Sequence, residues 1–75
     1  MHIYKRIRDL REDADKTQRQ IAEQLYMQLE VYRRYETGQR MPPFDIMIQL
    51  ANIYNVSLDY LAGRTDEPKN PNVKD

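Results

Sequence analysis

Twenty-two residues near the front of the chain, TQRQIAEQLYMQLEVYRRYETG from Thr17 to Gly38, leave little freedom in how the rest can fold. Thr17 and, three places on, Gln20 form a T-x-x-Q capping box, in which each side chain satisfies a free backbone N–H at a helix start. Ile21, Ala22 and Leu25 then share one inward face of a helix ending near Leu25. A second helix places Val31, Tyr32 and Tyr35 inward at i, i+1 and i+4, and Gly38 suits the left-handed residue that closes it. Only Tyr26, Met27 and Gln28 remain between the two, a turn short enough to set them at a steep angle. The spacing predicts a helix-turn-helix.

At 100° per residue, Leu29, Glu30, Arg33 and Arg34 lie on the side of the second helix opposite Val31 and Tyr35. Two readings fit such a face. Charges there can simply be solvated, as on most surface helices, or the face can meet a charged partner.

Composition narrows the classes. Seventy-five residues make one small domain, which on folding buries roughly 60% of its unfolded surface, so a partner subunit would help a marginal core. There is no cysteine and a single histidine, His2; a disulfide framework, a metal centre or a Ser-His relay has almost nothing to build on. Apolar runs reach only two or three residues, which excludes a membrane span or signal peptide and makes the cytoplasm the expected compartment. The carboxylates are scattered with no nucleophile–base pairing, so no enzymatic activity, cofactor or small-molecule ligand is expected. Net charge is zero, yet Met1 to Arg40 carries nine Lys/Arg against seven Asp/Glu, and Met41 to Asp75 three against five. Local placement governs phosphate contact more than the total does.

Along the chain, Ile3, Ile7, Leu10 and Ala14 recur at helical spacing, predicting an amphipathic first helix over 3–13. The polar run Asp13-Ala14-Asp15-Lys16 connects it to Thr17. After Gly38, Pro42 forces Met41 extended and Pro43 suits the first turn of a fourth helix. Phe44, Met47, Leu50, Ala51 and Tyr54 mark its inward face, and Asn55 is a plausible left-handed stop. Ser57 caps a short fifth helix whose apolar positions are Leu58 and Leu61, closed by Gly63. Tyr32 and Tyr35 read as core rather than stacking platforms, and Met27, Met41 and Met47 as gap-fillers. The last twelve residues, RTDEPKNPNVKD, are too polar to repay ordering, so residues 1–63 are expected to form the domain and 64–75 a flexible tail. The natural start at Met1 and this short tail are what a complete regulator would have.

These residues together resemble the phage Cro/repressor-like helix-turn-helix family, also called the xenobiotic-response-element type of bacterial regulator. The marks are IRDLRE in helix one, TQRQIAEQL in helix two, RRYETGQRMPP from helix three into the loop, and MIQLANIYNVSLDYLAG beyond. The resemblance covers roughly residues 3–63 and implies an all-α, five-helix, lambda-repressor-like domain whose third helix enters the DNA major groove, usually from each half of a dimer. Position by position, Gln18 matches a phosphate-clamping glutamine, at the positive end of the second helix's dipole. Gln28, Leu29, Glu30, Arg33 and Arg34 match recognition positions, and Gln39 and Arg40 a loop that touches the DNA backbone. Arg11 and Glu36 match an ion pair tying helix one to the end of helix three. Two departures stand out: Tyr26 replaces the usual glycine of the turn, and Gln28 replaces the commoner Ser or Thr cap.

The chemistry fits duplex DNA. Arginine's planar fork serves guanine O6 and N7 or a phosphate equally well, so Arg33 and Arg34 are the leading contacts, with their division of labour open. Leu29 could touch a thymine methyl or be an ordinary exposed leucine. Glu30 could accept from cytosine N4, although pairing with Arg33 or Arg34 is the better expectation because a free carboxylate repels phosphate. A second apolar stripe, Ile46, Leu50 and Ile53, is covered either by helix one or five or by a second copy in a homodimer. The expected function is that of a sequence-specific transcriptional regulator, a small repressor on a palindromic operator, bacterial or phage-encoded and nucleoid-associated when bound. The competing reading is a protein-binding module, such as an antitoxin or anti-repressor component.

Overall fold

A computed structural model describes residues 3–68. In chain order it contains α1 (Ile3–Asp13), α2 (Gln18–Gln24), α3 (Leu29–Thr37), α4 (Phe44–Tyr54) and α5 (Leu58–Leu61), with no strand among the described residues. None of these helices is long and apolar enough to cross a membrane. α3 packs on both α1 and α2, while α4 packs on α5 and α1, so α1 is the spine that joins the helix-turn-helix to the rest.

The starts of the helices follow their side chains. Thr17 accepts from the Gln20 N–H at 3.0 Å and the Gln20 amide accepts from the Thr17 N–H at 2.8 Å, completing the box. Ser57 caps α5 in the same way, accepting from the Tyr60 N–H at 3.0 Å. Gln28 precedes α3 with no side-chain cap, as its chemistry led one to expect. Pro43 stands just before α4, not inside its first turn.

The ends share one device. Every described residue with positive φ sits one or two residues beyond a helix: Asp15, Tyr26, Gly38, Asn55 and Gly63. After α2, the Tyr26 N–H donates to Glu23 O at 3.1 Å and the Met27 N–H to Ala22 O at 3.0 Å. That paired arrangement satisfies carbonyls that a helix end leaves open. After α1, the Asp15 and Lys16 N–H groups do the same to Glu12 O and Arg11 O, at 3.0 and 3.2 Å. At Gly38 the left-handed φ of 82° is one demand for glycine. Space is another, since a Cβ there would lie 3.0 Å from the Tyr4 ring.

Ile7, Ile21, Ala22, Leu25, Tyr32, Tyr35, Met47, Leu50, Ala51 and Leu61 form the core with Ile46. Several expectations need correcting. The buried face of α4 is turned toward Ile46, which places Phe44 about a quarter-turn from its centre; Phe44 is 71% exposed, whereas Ile46 is only 8% exposed. Leu50 has no exposed surface, and Ile53 is partly buried against the same core. The stripe Ile46, Leu50 and Ile53 is therefore consumed within the subunit, and its reading as a dimer contact is withdrawn. Ala14 is exposed because α1 has already stopped, and Met41 is exposed rather than filling a gap.

Residues 64–68 are not loose. Arg6 donates to the Tyr60 and Thr65 carbonyls at 2.8 and 3.0 Å, pairs with Asp66 at 3.5 Å and lies 4.1 Å over the Tyr60 ring. The Ser57 N–H donates to Pro68 O at 2.9 Å. Residues 69–75, the remainder of the expected tail, lie outside the described residues.

Tyr26 offers a direct stability test. It holds φ 55° while 95% exposed, so it carries left-handed strain of about 1 kcal/mol with little burial to offset it. Tyr26→Gly should raise the thermal midpoint by about 4–8 °C, whereas Tyr26→Ala should leave it nearly unchanged. A Gly variant no more stable than wild type would show that the turn is unstrained.

Candidate nucleic-acid interface

α3 divides cleanly. Tyr32, Tyr35 and Glu36 are buried, while Glu30, Arg33, Arg34 and Thr37 are exposed. The exposed side, with Gln39, lines a shallow open groove. Arg40 follows on the loop, exposed, and Gln28 stands exposed at the other end. Of the expected recognition positions, Glu30, Arg33, Arg34 and Gln39 thus share one groove, Arg40 lines a separate pocket with Ile3 and Tyr4, and Leu29 is the exception among the helix residues. Leu29 is partly buried and packs on the core; side chains in a helix lean toward its N-terminus, which carries this first residue back over the turn. Thr37 belongs to the groove and was not singled out from the sequence; its spacing of four from Arg33 would have revealed it. Tyr26, the departure in the turn, is exposed as well.

Beneath this surface lies the expected ion pair. Arg11 Nε donates to Glu36 Oε2 at 2.7 Å and Nη2 to Oε1 at 3.2 Å, a two-pronged contact from α1 to α3. Arg11 Nη1 also donates to Lys16 O at 2.8 Å, bracing the loop after α1. The Glu36 side chain is 2% exposed and that of Arg11 13%. Burial pushes the Glu36 carboxyl upward, but the guanidinium of Arg11 and other hydrogen-bonding neighbours outweigh it and hold the pKa below the ordinary value. Hydrogen bonding to Glu36 likewise raises Arg11. The hydroxyls of Tyr32 and Tyr54 are buried nearby with no hydrogen bond of good geometry. Burial raises both, Tyr54 to about 12 and Tyr32 well above its ordinary value, so both stay neutral.

Gln18 is hydrogen-bonded at both ends of its amide. Its Nε2 donates to Glu36 Oε1 at 3.1 Å, and its Oε1 accepts from Arg33 Nε at 3.3 Å. Among the described residues, no ion pair joins Glu30 to Arg33 or Arg34, and the side chain that accepts from Arg33 is Gln18. Because Glu36 is buried and neutralised by Arg11, Glu30 is the one acidic side chain left facing out from α3.

A four-residue connection between α2 and α3, Leu25 to Gln28, with α3 exposing arginines on the side away from the core, defines a helix-turn-helix domain. Comparison with known families agrees: residues 7–61 match the helix-turn-helix family model. The chain belongs to the xenobiotic-response-element type of that family. It is 39% identical over 69 residues to the HTH-type transcriptional regulator ImmR of Bacillus subtilis, covering 92% of this chain and 54% of that protein. It is 35% identical over 69 residues to the cryptic phage CTXphi transcriptional repressor RstR of Vibrio cholerae, covering 89% of this chain and 62% of that protein. A third relative, the HTH-type transcriptional regulator YobD of Bacillus subtilis, is 40% identical over 63 residues, covering 84% and 56% respectively. The chain thus spans little more than half the length of the curated relatives it matches.

Glu36→Gln should cost about 3 kcal/mol, because breaking a buried pair strands the charge of Arg11. The thermal midpoint should fall by about 15 °C in a domain of this size. A depressed folded-state pKa means that the pair's contribution is complete above the unfolded carboxylate value, about pH 4.3. It is lost as pH falls further, through the folded value. The stability difference between wild type and Glu36→Gln should therefore shrink below about pH 4.3. Parallel pH profiles would contradict the assignment.

Proposed function

We propose that the chain is a sequence-specific double-stranded DNA-binding transcriptional regulator, a repressor, with α3 as the helix that enters the major groove. The observation that carries this reading is the solvent-facing pair Arg33 and Arg34 on α3, with Arg40 nearby and Glu36 neutralised from beneath. A local excess of cation is what phosphate needs, whatever the sum over the chain. Two relatives support it by name, one a regulator and one a phage repressor. Gln28, Glu30, Thr37, Gln39 and Arg40 complete the contact surface, the loop residues on the backbone and the helix residues over base edges.

Two copies related by a two-fold axis would present their α3 helices to half-sites about 34 Å apart, the geometry of a palindromic operator. On this reading the protein acts in the cytoplasm, on the nucleoid when bound. The protein-module alternative would use the stripe of Ile46, Leu50 and Ile53, which the core already occupies, or the tail, of which residues 69–75 lie outside the described residues.

The test begins with duplexes selected from a random library by the wild-type protein. Arg33→Ala and Arg34→Ala should each weaken binding by about 1–3 kcal/mol, with helicity and thermal midpoint nearly unchanged. Loss of a phosphate contact should also flatten the log–log salt dependence by about 0.9. Wild-type affinity in both variants would overturn the recognition surface.

A further inference from the structure

We propose that Gln18 is a positioning residue, whose amide, oriented by the buried Glu36 carboxylate, holds the Arg33 guanidinium in place for DNA. This rests on the reading of α3 as the DNA-binding helix.

The chemistry runs in one direction. An ionised carboxylate only accepts hydrogen bonds, so the end of the Gln18 amide that meets Glu36 must be its NH2. Reversing the amide would set oxygen against oxygen. With Nε2 at 3.1 Å from Glu36 Oε1, Oε1 of Gln18 must face outward, where it accepts from Arg33 Nε at 3.3 Å. Glu36 cannot swing away, because Arg11 holds both of its oxygens and its side chain is 2% exposed. A fixed carboxylate therefore fixes an amide, and the amide steadies an exposed guanidinium. Among the described residues, Arg34 has no such support.

Engagement through Nε is the useful kind. A guanidinium has five N–H donors, and this contact takes one, leaving the four on Nη1 and Nη2 for a two-pronged contact with guanine or phosphate. A long side chain that is already ordered loses less freedom on binding. The Gln18 amide, by contrast, has its oxygen committed and one of its two protons given to Glu36.

A double-variant cycle on the full chain tests this. Wild type, Gln18→Ala, Arg33→Ala and the double variant are titrated against a duplex selected by wild type. Gln18→Ala should weaken binding by up to about tenfold, the cost of ordering one long side chain. The double variant should bind no more weakly than Arg33→Ala alone. In the free protein, the NMR signal of Arg33 Nε–H should move to the position of an unrestrained arginine in Gln18→Ala. If that variant folds poorly, Gln18→Met keeps the chain length and removes the amide. Penalties that multiply in the double variant, or an unmoved Arg33 signal, would overturn the proposal while leaving α3 as the DNA-binding helix. Wild-type binding by Arg33→Ala would defeat the DNA role of Arg33 and the proposal together.

Discussion

One buried contact sets the geometry on which the rest depends. Arg11 reaches from α1 to Glu36 on α3, and both charges are withdrawn from water at the place where the helix-turn-helix meets the remainder of the bundle. Such a pair gives uncertain net stability, since desolvation offsets much of the attraction. Its value here is orientational. Two parallel bonds between planar groups fix the rotation of α3 about its own axis relative to α1. Given that rotation, Tyr32 and Tyr35 must face the core, and Arg33 and Arg34 must face solvent. The same pair neutralises a negative charge beside the surface proposed to meet phosphate.

Around that contact the fold is assembled from short helices, each stopped abruptly. The five left-handed residues beyond the helix ends turn the chain without long loops, which lets 66 described residues close a single core. Only two of the five are glycine. Asp15, Tyr26 and Asn55 hold the conformation at some cost, and the helix packing must offset it. Tyr26 is the most costly by residue type and lies between the two helices whose relative angle matters most.

What could be read in advance was local. Thr17 with Gln20, Ser57, Asn55 and Gly38 act within a few residues of themselves, and their roles follow from side-chain chemistry. The inward faces of α2 and α3 follow from periodicity alone, and the Arg11–Glu36 pair came through family resemblance. The misread features depend on where another part of the chain happens to lie. Phe44 and Ile46 both sit at the margins of the apolar arc of α4, and only the position of α1 and α5 decides which is covered. Arg6 reaches residues 54 to 60 positions away, so its hold on Thr65 and Asp66 leaves no trace in local composition. Gln18 meets Arg33 across the turn for the same reason. Its candidacy was legible, but its partner was not.

The central claim is that the arginine side of α3 is the surface that DNA occupies. Backbone amide shifts of the labelled protein, followed while a duplex selected by wild type is added, test it most directly. The account predicts changes concentrated at Gln28, Glu30, Arg33, Arg34, Thr37, Gln39 and Arg40, with the outer faces of α4 and α5 quiet. Changes centred on Phe44, Ile48 and Leu58, with α3 unmoved, would contradict it.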